Sequence, residues 1–236
     1  FTAGDKVTIH TSPVTGDATN LSFNPIGVIE QFRIGDEIHV DFNHVRLKVI
    51  EARGSGFAAE VVEGGRIGSN KAADIDRDLE FEPLTEKDRA AIQLGRDRGI
   101  KNFAMSFTNR AEDVHLMREI CGTDANIIYK IESPSGVHNL ESILAETDEI
   151  LIDRGDLSRR VPIQHIPFLQ RRIISIARAK SKSVYVATNL LESMVTTKSP
   201  NRAEVNDVVS TLDMGASGLV LAAETAIGQF PVEAVS

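Results

Sequence analysis

The chain has 236 residues, 42% of them apolar and 25% charged, and its 26 Lys and Arg against 34 Asp and Glu leave a net charge of −8. Such a composition supports one or two folded domains with real cores and excludes a mostly disordered chain, while an acidic balance without a basic patch argues against a nucleic-acid partner. No run approaches the roughly 18 apolar residues of a membrane helix, no basic start leads into a cleavable apolar stretch, and the single Cys121 has no internal partner, so no membrane is implied and a cytoplasmic setting is expected.

The span opens on Phe1 rather than Met and closes at Ser236 in GQFPVEAVS, which reads as the opening of a helix, so both ends are read as cut. From Lys6 to about Phe81, short β-type runs alternate with turn signals: KVTIHT, GVIEQF, EIHVDF, VRLKVIEA, FAAEVVEG and LEFEP. Period-two alternation runs through Glu37, Ile38, His39, Val40 and Asp41, and turn chemistry stands at Asn24-Pro25, Gly35-Asp36, Gly54-Ser55-Gly56 and Gly64-Gly65. Strands at this spacing with no helix between them predict an all-β domain over residues 1–84, a small antiparallel sandwich or barrel.

From residue 85 the texture changes. TEKDRAAIQLGRDRG predicts a helix with Thr85 as N-cap and Asp88 three residues on, in place of the usual Glu or Gln. Five apolar runs of strand length follow: NFAMSF (102–107), NIIYKIE (126–132), EILIDRGD (149–156), SVYVAT (183–188) and SGLVLAAE (217–224). Helical segments separate them, AEDVHLMREIC, GVHNLESILAE, IQHIPFLQRRIISIARAK and NRAEVNDVVSTLDMG, and this alternation predicts βα units on a parallel sheet over 85–236.

In such units chemistry gathers at the strand C-terminal ends. Those ends carry Ser106 and Phe107, Lys130 and Glu132, Arg154, Gly155 and Asp156, Thr188, and Glu224. Lys130 and Glu132 are two apart, so their side chains leave one face of their strand. Glu132 and Asp156 end neighbouring strands, and two carboxylates suit a hard divalent cation whose other positions are filled by water or substrate oxygen. An ordinary ion pair to Lys130 is the competing reading. Gly155 lets a ligand approach the backbone of the Arg154–Leu157 turn, whose amides suit a carboxylate. Thr188 offers a hydroxyl, or a plain cap for the segment LLESM. The six histidines show no paired metal-ligand spacing and read as solvated or structural.

IIYKIESPSGV, ILIDRGDL, VYVATNLLESM, SPNRAEVNDV and LVLAAETAIGQFPVEAV, in this order and spacing, closely resemble the catalytic barrel of the pyruvate kinase family. VEGGRIGSNK resembles the end of that family's small β domain, and LTEKD with FAMSFTNRAEDVHLMRE its return to the barrel. The resemblance implies the last five βα units of a (β/α)8 TIM-type barrel with an all-β small-barrel lid domain. It implies phosphoryl transfer between phosphoenolpyruvate and ADP, giving pyruvate and ATP, with Mg²⁺ or possible Mn²⁺ as cofactor, in a homo-oligomer. Lys130 matches the lysine that balances charge on the transferred phosphoryl group, and Glu132 and Asp156 match the metal's carboxylates. Gly155, Asp156 and Thr188 match the holders of the substrate carboxylate, and Lys71 matches a lysine that reaches nucleotide phosphates when the β domain closes.

The chain also departs from the family pattern. Ala222-Ala223-Glu224-Thr225 stands where the family usually reads SGET, Asp153 where a small Ala precedes RGD, Arg160 where Glu is usual, and Asn189 where Gln is usual. Asp41-Phe42-Asn43 replaces a DDG turn. Three earlier barrel strands and the family's regulatory domain have no counterpart in this span, so the need for K⁺ is open and the outer strands are expected to require covering. Two alternatives stand beside the kinase reading: a metal-dependent lyase or aldolase working through the pyruvate enolate, and a non-catalytic relative.

Overall fold

The structure, a computed structural model, describes all residues except Phe42, Asn43, Ser55 and Asp78, and leaves aside the side chain of Ile26. The chain forms two compact units, Phe1–Glu82 and Pro83–Ser236, each with its own apolar cluster.

The first unit is a six-stranded sheet of β1 (Lys6–His10), β2 (Asn20–Leu21), β3 (Glu37–Val40), β4 (Val45–Arg53), β5 (Gly56–Glu63) and β6 (Ala73–Ile75), in the order β2-β1-β5-β4-β3-β6. Every pairing is antiparallel except the short β1–β2 contact. The alternation seen in the sequence sorts side chains as expected: Val7, Ile9, Ile38, Val40, Val45, Leu47 and Val49 are all buried in one cluster. At the β1–β5 pairing a β-carbon on Gly56 would stand 1.9 Å from the carbonyl oxygen of Ile9, and φ is +146°, so only glycine fits.

Two of the expected strands are something else. GVIEQF lies in a 3₁₀ helix, Ile26–Gln31. Its buried residues, Val28, Ile29 and Phe32, follow a helical spacing rather than an alternating one, so a coil of chain buries them where an extended one would not. LEFEP is not a strand; the Gln31 side chain donates to the Glu80 carbonyl at 2.7 Å and accepts from the Glu80 amide at 2.9 Å, doing with one amide what a neighbouring strand would do. The sixth strand is Ala73–Ile75 instead. The readings at Asp41-Phe42-Asn43 and Gly54-Ser55-Gly56 fall partly outside the described residues.

The second unit carries β7 (Asn102–Met105), β8 (Asn126–Ile131), β9 (Glu149–Asp153), β10 (Ser183–Ala187) and β11 (Gly218–Val220), all parallel and adjacent in chain order. The helices are α1 (Glu86–Asp97), α2 (Ala111–Cys121), α3 (Pro134–His138), α4 (Leu140–Glu146), α5 (Arg154–Leu157), α6 (Ile166–Ala179), α7 (Arg202–Asp213), α8 (Ala223–Ala226) and α9 (Pro231–Val235). This is the βα succession of a partial (β/α)8 barrel. Thr85 caps α1 as expected, its hydroxyl accepting from the Asp88 amide while Asp88 answers at the Thr85 amide. Because the strands are parallel, their C-terminal ends share one edge, and there the ionisable residues meet.

Two strand runs end earlier than expected: β11 stops at Val220, so that Glu224 lies in the short helix α8 and not at a strand end, and β9 stops before the RGD turn. The apolar run of β9 ends at Asp153, and Arg154-Gly155-Asp156-Leu157 forms the single helical turn α5 rather than a strand end followed by an open loop. Asp153 is the reason, since its side chain caps that turn at the Asp156 amide.

Candidate functional site

Lys130 lies near the end of β8 and Glu132 immediately beyond it, with the fully buried Ile131 between them. Their side chains converge as the two-residue spacing requires: Lys130 Nζ is 2.5 Å from Glu132 Oε1 and 3.2 Å from Asp153 Oδ2 on the neighbouring strand. Asp156, in α5, pairs through Oδ1 with Arg159 at 2.9 Å. Carboxylate oxygens of Glu132, Asp153 and Asp156 all lie within 4.8 Å of one another. The ion pair to Lys130 is therefore present, and it does not exhaust the charge: three carboxylates face two cations.

Glu132 is the deepest of the set, with its side chain wholly shielded from solvent. Its Oε2 accepts the Phe107 amide at 2.5 Å, and Phe107 adopts a left-handed φ of +51° to present that amide. Oε1 meets the ammonium but takes no well-aligned hydrogen bond, so a buried oxygen keeps acceptor capacity. Burial pushes the Glu132 carboxyl above the ordinary range against the pull of Lys130 and the Phe107 amide. Burial works against charge on Lys130 too, but Glu132 and Asp153 outweigh it and hold the ammonium above the usual lysine range. At Asp153 burial is again outweighed, here by the Thr188 hydroxyl and Lys130, and the carboxyl sits below its ordinary value. The Lys130 ammonium and the Asp153 carboxylate thus hold each other in their charged forms. Buried oxygens with charge to spare fit a hard divalent cation.

Thr188 stands at the end of β10, where its hydroxyl donates to Asp153 Oδ1 at 2.6 Å rather than capping the segment after it. Thr188 and Asn189 both hold left-handed φ angles, +76° and +56°. The Arg154 guanidinium clamps them there, donating to the Thr188 carbonyl at 2.7 and 3.1 Å and to the Asn189 carbonyl at 3.1 Å. The same group reaches Asp207 Oδ2 at 2.7 Å and Gln170 Oε1 at 3.3 Å, and Gln170 passes on to Thr211. The space over Gly155 belongs to Thr188: a β-carbon there would stand 2.7 Å from Thr188 Cγ2. The glycine thus permits a close approach of α5 to the residue that follows β10.

Lys130, Glu132, Gly155, Asp156 and Thr188 come together at one edge of the second unit. Lys71 lies in the first unit, where Nζ is 3.3 Å from Asp41 Oδ2. Glu224 is buried, with Oε2 accepting the Ala222 amide at 3.1 Å and Oε1 without a hydrogen bond. Sequence reasoning missed Asp153 as a member of the set, the Phe107 amide, the Arg154 clamp, and Arg159 as the cation beside Asp156. Phe107 and Arg154 stood among the strand-end residues and Asp153 was out of pattern, but residue type did not reveal the contacts they make.

A family model described as pyruvate kinase, barrel domain, matches residues 1–235. Similar curated proteins named pyruvate kinase come from Clostridium perfringens, 35% identical over 239 residues covering 99% of this chain and 49% of the relative, and from Thermotoga maritima, 35% identical over 236 residues covering 98% and 51%. One from Agrobacterium vitis is 36% identical over 202 residues, 85% of this chain and 42% of the relative. The chain spans about half the length of the curated relatives it matches.

Proposed function

This chain belongs to the pyruvate kinase family, and from that premise we propose that it serves phosphoryl transfer between phosphoenolpyruvate and ADP, yielding pyruvate and ATP. The observation that carries the reading is the strand-end set itself, an ammonium kept charged among three carboxylates, one of which keeps a buried oxygen without a hydrogen bond. Phosphoryl transfer needs positioning and compensation of spread negative charge more than covalent chemistry.

Glu132 and Asp156 are the residues to hold Mg²⁺, or Mn²⁺ in its place, which when bound acts as a Lewis acid toward enolate and phosphoryl oxygens. Lys130 supplies the fixed positive charge toward the transferred group. The Thr188 hydroxyl orients the substrate carboxylate, together with the amides of Gly155 and Asp156. Lys71 contributes an ammonium to nucleotide phosphates. A cytoplasmic setting and assembly into a homo-oligomer belong to the same proposal and rest on family membership; among the described residues no helix is long and apolar enough to cross a membrane.

A coupled assay on the complete natural protein tests the reading. Pyruvate formation from phosphoenolpyruvate that requires both ADP and Mg²⁺ is the expected result, and it is expected to collapse in Lys130→Met. Metal-dependent release of pyruvate from a longer keto acid without ADP would instead support the lyase reading, and neither activity would support a binding role.

A further inference from the structure

Asp153 bonds to Lys130 and Thr188 and lies close to the other two carboxylates of the strand-end set. Its Oδ2 is 3.2 Å from Lys130 Nζ, its Oδ1 accepts the Thr188 hydroxyl at 2.6 Å, and its carboxylate lies within 4.8 Å of those of Glu132 and Asp156. It occupies the Lys130 ammonium, the Thr188 hydroxyl and the Asp156 amide, and the proposed function gives all three to the substrate. It also brings a third carboxylate to a site whose carboxylates pair with Lys130 and Arg159. We propose that Asp153 is a positioning residue that shifts this site toward cations and away from anions, strengthening the hold on a divalent cation while competing with a carboxylate substrate for Thr188 and Lys130. The inference rests on the reading of Glu132 and Asp156 as metal holders.

The physical basis is short-range and local. A third carboxylate within reach adds attraction for a divalent ion, whichever of its oxygens does the binding. An incoming carboxylate has to displace an existing charge-assisted bond before it gains one, and it meets repulsion from an anion held in place by three partners. A substrate with a second anionic group engaged elsewhere would suffer less from this competition, so Asp153 disfavours simple monocarboxylates most.

The test is calorimetric titration of the full-length protein with Mn²⁺, then with oxalate and with acetate at saturating Mn²⁺, in wild type, Asp153→Asn, Asp153→Ala and Glu132→Gln. Asparagine keeps an oxygen for the Thr188 hydroxyl and the Asp156 amide and removes only the charge; alanine also frees Thr188. Mn²⁺ affinity is expected to fall about tenfold in both Asp153 variants, and oxalate affinity to rise about threefold in Asp153→Asn and further in Asp153→Ala. Acetate is expected to gain by a larger factor than oxalate. Mn²⁺ affinity lost in Glu132→Gln but unchanged in both Asp153 variants would overturn the role of Asp153 and leave the metal reading standing. Affinity unchanged in all three, or no Mn²⁺ binding by the wild type, would overturn both. Weaker oxalate binding in Asp153→Ala would show that Asp153 supports the anion, against the proposal.

Discussion

At Gly155 a single absent carbon decides how α5 meets the residue that follows β10. A β-carbon there would press on Thr188 Cγ2 at 2.7 Å and on Asp153 Oδ1 at 3.4 Å. Gly155→Ala is therefore expected to cost about 1–3 kcal/mol by overpacking and to disturb the Thr188 to Asp153 bond. Thr188→Ser removes Cγ2 and keeps the hydroxyl, so the double variant is expected to recover most of the loss in a denaturant titration; purely additive effects would refute the contact as the cause. Lys130, Glu132 and Asp156 are legible in the sequence because charged residues at the ends of apolar strands have few structural reasons to be there. Asp153 is harder to read, since whether it faces the site depends on where β9 gives way to α5. The part played by Phe107 leaves no trace in residue type, because it is a backbone amide that donates.

Among the elements, helix beginnings were the most readable feature, since capping is local chemistry; Thr85 with Asp88 is the example. The 3₁₀ helix at 26–31 was not readable, because a short apolar run fits a strand and a coil equally well until the core it packs against is known. The partners of Arg154 were not readable either, as they come from β10, α6 and α7 and only the fold brings them together. Arg154 holds two successive left-handed residues in place, a conformation that side-chain-bearing residues adopt at a cost. Arg154→Met is expected to destabilise the second unit by about 2–4 kcal/mol, because it strands the Thr188 carbonyl, Gln170 and Asp207 together. Asp207→Asn is expected to cost less than about 1 kcal/mol, its carboxylate being a third exposed and able to rehydrate. Equal losses in the two variants would show that the arginine's value lies in that ion pair and not in the clamp.

At the scale of the whole molecule, two separate cores imply two separately addressable stabilities. In the first unit, Asp36 accepts from Arg77 Nε and Nη2, each at 2.9 Å, and from the Arg33 amide at 2.7 Å. Burial works against its charge, but Arg77 and the amide outweigh it, and the carboxyl sits below the ordinary aspartate range. A depressed folded-state value means that this stabilisation is complete above the unfolded-state value of about 3.9 and is lost as the pH falls through the lower folded-state value. Asp36→Asn is expected to cost about 1–3 kcal/mol at neutral pH and to remove that part of the acid sensitivity. Tyr129 and Tyr185 are the only tyrosines, both in the second unit, and the chain has no Trp. Tyrosine fluorescence should therefore melt unchanged in this variant while the far-ultraviolet circular dichroism shifts, and a shift of both signals would contradict separate cores. The central claim, that the strand-end carboxylates are a divalent-metal site, is tested most directly by anomalous scattering from crystals of the protein grown with Mn²⁺, which surveys the whole molecule at once. The account predicts the dominant peak within coordination distance of Glu132 and Asp156; a dominant peak elsewhere, with none between those two carboxylates, would contradict it.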